Sequence, residues 1–119
     1  MFFNYRELYI FIFILKGNNM PFLVIAFDYP PPAGPERRRS CREEHLKQGE
    51  KFYEEGRWLC AAGILNEAGD LIGSIIICDF PSEEALRKEW LDREPYLLNR
   101  VWEKVQIFPI RPAPFMKFE

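Results

Sequence analysis

The chain has 119 residues, a length that fits one domain and is too short for two independent cores. Hydrophobic residues make up 48% and charged residues 29% of the chain, which is too apolar a composition for a disordered protein. The formal net charge is −2, so no global positive field attracts nucleic acid, and we expect no nucleic-acid partner.

The cysteines and the histidine limit the chemistry that the chain can perform. Its three cysteines, Cys41, Cys60 and Cys78, form no CxxC pair, so the sequence predicts neither a zinc site nor a disulfide framework. His45 is the single histidine, so any chemistry that needs an imidazole must use it. The sequence has no phosphate-binding glycine loop, HExxH helix or dinucleotide fingerprint. We therefore expect no metal, no cofactor and a cytoplasmic location.

Residues 1–19 precede a segment that reads as a complete domain without them. Their apolar run, residues 8–15, is shorter than the roughly 20 residues that a membrane-spanning helix needs, so we expect no membrane partner. Arg6 is followed by Glu7, which offsets its charge ahead of the run, and a secretory signal is not indicated. We expect an N-terminal extension that is disordered or comes from a misplaced start codon. A mitochondrial presequence is the weaker alternative.

The rest of the chain predicts the element order β-α-β-β-α-β. Residues 22–27 form a continuous apolar run that is typical of a buried strand. A proline-rich loop follows, and a helix is predicted from about residue 36 to residue 55, where Gly56 ends it. After this helix we expect a strand, a turn, a strand, a helix and a last strand, at residues 58–65, 66–70, 71–80, 83–91 and 101–110.

Periodicity predicts which side chains face the core. At 100° per residue, one stripe of the first helix contains Arg38, Cys41, Arg42, His45, Leu46, Gly49, Phe52 and Tyr53. In the last strand, strict alternation places Val105 and Ile107 on one face and Trp102 and Lys104 on the other.

The predicted order is that of the ferredoxin-like α+β fold, a four-stranded antiparallel sheet with two helices on one face. The second face of such a sheet has no cover within one chain. At roughly 25 cal/mol per Å² of apolar area, covering several hundred Å² stabilises the protein by on the order of 10 kcal/mol. A second copy of the same sheet is the simplest cover, so we predict a homodimer with its open sheet faces stacked.

Several motifs resemble those of the YCII-related family. The segment Arg42-Glu43-Glu44-His45-Leu46 resembles the family's R-x-x-H-L, and residues 55–63 resemble its E-G-R-h-L…A-G, where h is hydrophobic. Three later segments resemble its strand-to-helix junction, its W…D-P-Y motif and its closing strand: residues 79–85, 90–96 and 101–105. The motifs keep the family's order over residues 20–112, which we take as the domain, with a C-terminal tail at residues 113–119.

The resemblance implies a dimeric α+β barrel with an active site built on a His–Asp pair. His45 matches the family histidine, whereas Glu94 stands where the family has the aspartate of D-P-Y. Glu94 keeps the carboxylate and adds one methylene, which shifts its reach by about 1.5 Å. Asp92 is a second candidate carboxylate two residues away. Some members of the family resemble dehydrohalogenating or lyase-type enzymes that act on hydroxylated aromatic compounds.

These observations lead to one catalytic hypothesis. His45 is the predicted acid or base, oriented by Glu94 or Asp28, in a lyase- or isomerase-type reaction on a small organic acid or phenol. Asp28, Arg42 and Tyr96 are the predicted substrate-binding residues. Arg42 lies one helical turn before His45, where its guanidinium could bind an anionic group of the substrate.

Two alternatives remain open. In the first, the protein is a non-catalytic module that binds a small ligand or dimerises, and His45 is a half-buried histidine satisfied by a hydrogen bond. In the second, Cys41 and His45, one helical turn apart, form a nucleophile pair.

Overall fold

The computed structural model describes residues 20–116, which form a four-stranded antiparallel sheet with helices. In chain order the elements are β1 (Met20–Asp28), α1 (Ala33–Glu54), β2 (Trp58–Leu65), β3 (Leu71–Phe80), α2 (Glu83–Glu89), a 3-10 turn (Leu91–Arg93), α3 (Pro95–Leu98) and β4 (Trp102–Pro109). The strand order β2-β3-β1-β4 puts β1 and β3 in the centre. The predicted α+β fold is confirmed. The predicted N-terminal extension and the end of the C-terminal tail lie outside the described residues.

Helix α1 begins earlier than the sequence predicted. It starts at Ala33, directly after Pro32, so Pro35 lies in its first turn. The missing N–H of a proline costs nothing there, because the first N–H groups of a helix have no intrahelical acceptor. Gly34 packs so closely on the preceding loop that a Cβ atom would lie 1.7 Å from the carbonyl oxygen of Tyr29. Among residues 20–116, no helix combines the length and the apolar character that a membrane crossing requires.

The helix predicted at residues 83–91 ends at Glu89, and the 3-10 turn and the short helix α3 follow it. Ser82 caps α2, because its hydroxyl accepts a hydrogen bond from the backbone N–H of Ala85 at 3.0 Å. Glu94 has an extended backbone with ψ 121°, which the following Pro95 favours, since a residue before proline is driven out of the helical region. The break turns the side chain of Glu94 toward α1.

The core lies between the helices and one face of the sheet. Its fully buried side chains include residues of the two central strands, of α2 and of its C-terminal end: Val24, Ala26, Ile76, Cys78, Leu86 and Trp90. The other face of the sheet carries side chains that are only partly buried in the single chain: Leu23, Ile25, Ile75 and Ile77. Phe108 on the same face is 45% exposed.

Each edge strand carries a register shift beside a tryptophan. In β2, Trp58 pairs with Cys78 and Cys60 with Ile77, so Leu59 has no partner. In β4, Trp102 pairs with Asp28 and Lys104 with Phe27. The prediction that Trp102 shares a face with Lys104 is therefore wrong, because the extra residue breaks the alternation. A β-bulge re-aims the neighbouring side chain, and Trp102 is 2% exposed on the helix-covered face.

The inward row of α1 is narrower than the predicted stripe. Its buried residues are Gly34, Arg38, Cys41, His45 and Gly49. The residues on the flanks of the stripe, Arg42, Leu46 and Tyr53, are exposed, so their predicted inward placement is wrong. The rest of the domain therefore covers only the central row of the inward face of α1.

Candidate active site

The carboxylate of Glu94 is the most deeply buried polar group near the histidine, with an exposed fraction of 0%. Its Oε1 accepts hydrogen bonds from Nδ1 of His45 and, at 3.1 Å, from the backbone N–H of Tyr96. Its Oε2 accepts a hydrogen bond from Nε1 of Trp90 at 2.7 Å. A buried carboxylate is tolerated when its oxygens are hydrogen-bonded, and here each group that bonds to the carboxylate is an N–H donor. The extended backbone before Pro95 creates this arrangement.

His45 presents one ring nitrogen to Glu94, and its side chain is 9% exposed. An Nδ1–H that donates to a carboxylate fixes the tautomer in which Nε2 carries a lone pair. Within residues 20–116, no other hydrogen bond to the imidazole is formed. Nε2 is therefore the ring nitrogen that keeps a free lone pair, and it is an acceptor.

Aromatic rings enclose the imidazole. Tyr96 stacks on His45 with ring centroids 3.7 Å apart and planes inclined by 6°. Trp58 and Trp102, the tryptophans beside the two register shifts, have ring centroids 5.8 Å and 6.1 Å from that of His45. Their Nε1 atoms are buried and have no hydrogen-bond partner in the described part of the chain. A buried donor without an acceptor costs about 1–3 kcal/mol, so both indoles suit a site that receives a polar ligand or water.

Arg38 and Asp28 form a second buried pair. Nε of Arg38 donates to Oδ2 of Asp28 at 2.7 Å, and Nη2 donates to Oδ1 at 2.9 Å. Nη2 also lies 3.2 Å from the carbonyl oxygen of Gly73 and 3.2 Å from Oγ of Ser74. Of the three carboxylates considered from the sequence as partners of His45, Glu94 makes the contact, Asp28 is bound to Arg38, and Asp92 is exposed. Arg38 was predicted on the inward stripe of α1 and was not among the predicted site residues.

The ring of Tyr96 lies between the two pairs. The guanidinium carbon of Arg38 is 4.7 Å from the centroid of this ring. The same ring therefore contacts both the imidazole of His45 and the guanidinium of Arg38. Burial raises the pKa of Tyr96 above 10.0, and the nearby charge of Arg38 offsets part of the increase. The phenol therefore keeps its proton at neutral pH.

Three other candidates lie apart from this centre. Arg42 is exposed beside the cleft described next. Cys41 places its Sγ 3.2 Å from the carbonyl oxygen of Arg37, and burial raises the pKa of its thiol. Sγ bonds to the carbonyl oxygens of Arg37 and Pro95 and not to His45, and a protonated thiol is a poor nucleophile, so a Cys41–His45 pair is not supported. Asp92 is exposed in the 3-10 turn.

Two clefts flank the inward row of α1. The larger, of about 800 Å³, lies at the start of α1 and is bordered by Asp28, Arg38 and Arg42. The smaller, of about 420 Å³, lies between α1 and β2 and is bordered by Gly49 and Trp58. His45 falls between them along the helix. In residues 20–116, no group of three or more His, Cys, Asp or Glu side chains is arranged to hold a metal ion.

Comparison with known proteins identifies the family. Residues 20–111 match the YCII-related domain. The protein YciI of Escherichia coli O6:H1 and protein YciI of Shigella flexneri are each 34% identical to this chain over 82 residues, which are 64% of this chain and 83% of theirs.

A solved structure shares the fold. It is 5-chloro-2-hydroxyhydroquinone dehydrochlorinase (TftG) from Burkholderia phenoliruptrix AC1100, in complex with 2,5-dihydroxybenzoquinone. It matches with a TM-score of 0.66 and 16% identity over 79% of this chain and 96% of that one, a likeness that shows the fold, of dimeric α+β barrel type. Because the family match covers residues 20–111, the chain belongs to the YCII-related domain family.

Proposed function

We propose that this protein is an acid–base enzyme of the lyase or isomerase class, in which His45 and Glu94 transfer a proton on a small organic acid or phenol. The observation that carries the proposal is the fully buried Glu94 carboxylate, which binds Nδ1 of His45 and leaves Nε2 as an acceptor. The same contact would satisfy a purely structural histidine. The two unpartnered indole N–H groups beside the ring favour a ligand site.

In this proposal Nε2 of His45 removes a proton from the substrate. The imidazolium that forms lies beside the carboxylate of Glu94, whose charge stabilises it strongly because the surroundings are buried. In an elimination, the electron pair of the broken C–H bond forms a double bond. The bond to the leaving group breaks at the same time, and this group departs as an anion with the electron pair of that bond. In an isomerisation, His45 returns the proton to another atom of the substrate.

Neighbouring residues position the reacting groups. Tyr96 holds the plane of the imidazole, and Nε1 of Trp58 or Trp102 donates to an oxygen of the substrate as negative charge develops there. Arg42 contacts an anionic group of the substrate at the cleft. Asp28 acts through Arg38, which it holds against Tyr96.

The dehydrochlorinase that shares the fold supports hydroxylated aromatic compounds as the first substrates to test. We would follow chloride release from 5-chloro-2-hydroxyhydroquinone without oxygen, and deuterium uptake from D2O by a panel of 2-oxo acids. His45→Asn keeps an N–H that can face Glu94 and removes the base, so the rate should fall by about 10²-fold or more. Glu103→Gln, an exposed carboxylate change, is the matched control. An unchanged rate in His45→Asn would exclude His45 as the base.

We also propose that two copies pair through the open face of the sheet. Isoleucines of β3 and β1 lie there only partly buried, and Phe108 is 45% exposed. The match to structures of dimeric α+β barrel type supports the same arrangement. Sedimentation velocity should give a dimer for the full chain and a monomer for Ile75→Lys, with Lys47→Gln, an exposed change on α1 away from this face, as control. A monomeric wild type would disprove the arrangement.

The alternative is a non-catalytic module that binds a small ligand or dimerises, which the two clefts favour. It predicts ligand binding without turnover in the same panel of compounds. His45→Asn would then lower the free energy of unfolding and leave ligand affinity unchanged.

A further inference from the structure

Several arginines lie on the N-terminal half of α1. Arg38, Arg39 and Arg42 border the larger cleft, whose wall also contains Asp28 and Asp70. Asp28 already neutralises Arg38 through its two hydrogen bonds. Arg39 and Arg42 form no ion pair with any carboxylate of residues 20–116. The whole chain carries a net charge of −2, whereas the three arginines and two aspartates that line the cleft sum to +1.

Two more arginines lie next to the same cleft. The ring of Tyr29, which borders it, has the guanidinium carbons of Arg37 and Arg100 at 5.4 Å and 5.6 Å from its centroid. Nη1 of Arg37 donates to the carbonyl oxygen of Arg100 at 3.1 Å. Arg100 has a φ of 57°, a left-handed conformation that is uncommon for residues other than glycine and that clusters at ligand sites.

The arginines carry like charges along one stretch of α1. They begin at the fifth residue of the helix, beyond the first turn in which the helix dipole acts, so their mutual repulsion is the relevant electrostatic term. An anion bound in the cleft would offset this repulsion, and the guanidinium fork matches a carboxylate well.

Most of the remaining wall of the cleft is apolar. Its other walls include Phe27, Pro30, Pro31, Leu71 and Ile72. Phe27 and Leu71 lie at the end of the open sheet face and are 40% and 39% exposed in the single chain. A cleft with an apolar floor and a few charged groups on one wall is the usual form of a small-molecule site.

We propose that this cleft binds a small organic anion with an apolar body, whose carboxylate contacts Arg39 and Arg42. The claim that the bound anion is a substrate rests on the proposed function, whereas the claim that the cleft binds the anion does not. It selects organic acids over neutral phenols as the substrate class. Arg38 borders the cleft, and its guanidinium carbon lies 4.7 Å from the centroid of the Tyr96 ring, which stacks on His45.

The test is a titration of the full 15N-labelled chain with benzoate, salicylate, 1-naphthoate and methyl salicylate, followed by backbone amide shifts. We expect shifts at Phe27, Leu71 and Ile72, and salicylate at least about tenfold tighter than its uncharged methyl ester, as a charged hydrogen bond implies. Arg42→Gln and Arg39→Gln should each weaken salicylate binding by about tenfold. Arg93→Gln, an exposed arginine outside the cleft, is the control.

Each other outcome overturns the proposal. It is wrong if no acid of the panel shifts these amides, if the ester binds as tightly as the acid, or if Arg42→Gln has no effect. Inorganic phosphate that displaces naphthoate with equal affinity would exclude a role for the apolar floor. His45→Asn separates the two hypotheses. If this variant binds salicylate and loses turnover, both the anion site and the proposed enzyme function are supported. If wild type binds salicylate and shows no turnover, only the proposed enzyme function is rejected.

Discussion

His45 and Tyr96 stack face to face, with ring centroids 3.7 Å apart and ring planes inclined by 6°. The backbone N–H of Tyr96 also donates to Oε1 of Glu94, the oxygen that binds Nδ1 of His45. The segment around Pro95 therefore fixes the imidazole in two ways. Glu94 fixes its rotation within the ring plane, and Tyr96 fixes the tilt of that plane.

Replacement of Tyr96 should separate the stacking from the hydroxyl. Tyr96→Phe keeps the ring and loses only the hydroxyl, so the free energy of unfolding should fall by no more than about 1 kcal/mol and turnover should persist. Tyr96→Leu loses the ring and leaves space beside His45, so we expect a loss of about 2–4 kcal/mol and impaired turnover. Urea denaturation followed by tryptophan fluorescence measures both. Equal losses in the two variants would show that the hydroxyl, and not the stack, is the important group.

Removal of the Glu94 side chain should be among the most harmful single changes. Glu94→Ala leaves three N–H donors buried without an acceptor, from His45, Tyr96 and Trp90, and should cost about 3–5 kcal/mol. Glu94→Asp, the residue of the family motif, keeps the charge and should cost less. Glu89→Ala, an exposed carboxylate change, should stay within about 0.5 kcal/mol of wild type. A loss below about 1 kcal/mol in Glu94→Ala would contradict a buried hydrogen-bonded carboxylate.

The sequence predicted the elements well where periodicity and breakers agree. β2 (Trp58–Leu65) and β3 (Leu71–Phe80) have the predicted bounds, because apolar runs flank a polar turn with Gly69 at a positive φ of 85°. The inward position of His45 follows from the helical period, and the break at Glu94 follows from Pro95.

The sequence could not reveal features that depend on packing between distant segments. Trp102 lies on the opposite face from the predicted one, because an added residue in β4 breaks the alternation and no residue type marks it. Arg38 is buried because Asp28 reaches it from the end of β1, a pairing that only the folded chain brings together. One signal existed: an arginine on the inward row of a helix needs a carboxylate partner, and Asp28 ends the adjacent strand.

The Arg38–Asp28 pair offers a test of buried charge. Asp28→Asn keeps the shape and leaves the guanidinium of Arg38 without its counterion, so the free energy of unfolding should fall by about 3–5 kcal/mol. Arg38→Met removes the charge that needed compensation, so the double variant should be more stable than the sum of the two losses predicts. Arg87→Met, whose partner Glu83 is half exposed, is the control and should change little. Additive losses for Arg38 and Asp28 would show that the two side chains do not interact in solution.

The buried thiols should make the fold sensitive to alkaline pH. Burial raises the pKa of Cys78 from 9.0 to about 12, and burial also raises the pKa of Cys41. Above pH 9 the unfolded chain loses these protons while the folded chain keeps them. The unfolded state then binds fewer protons, so the free energy of unfolding must fall as pH rises from about 9 toward 12. Below pH 9 both states keep the thiol protons, and the two groups contribute no pH dependence.

Urea denaturation at pH 8, 9 and 10 tests this dependence, and Cys78→Ala should flatten it. The control is Cys60→Ser, because Cys60 is an exposed free thiol and its removal should leave the slope unchanged. A thiol reagent added to the native protein at pH 8 should modify Cys60 alone, and Cys41 and Cys78 should react after unfolding. Rapid modification of Cys78 in the native protein, or an unchanged slope in Cys78→Ala, would mean that this thiol is not held protonated in the core.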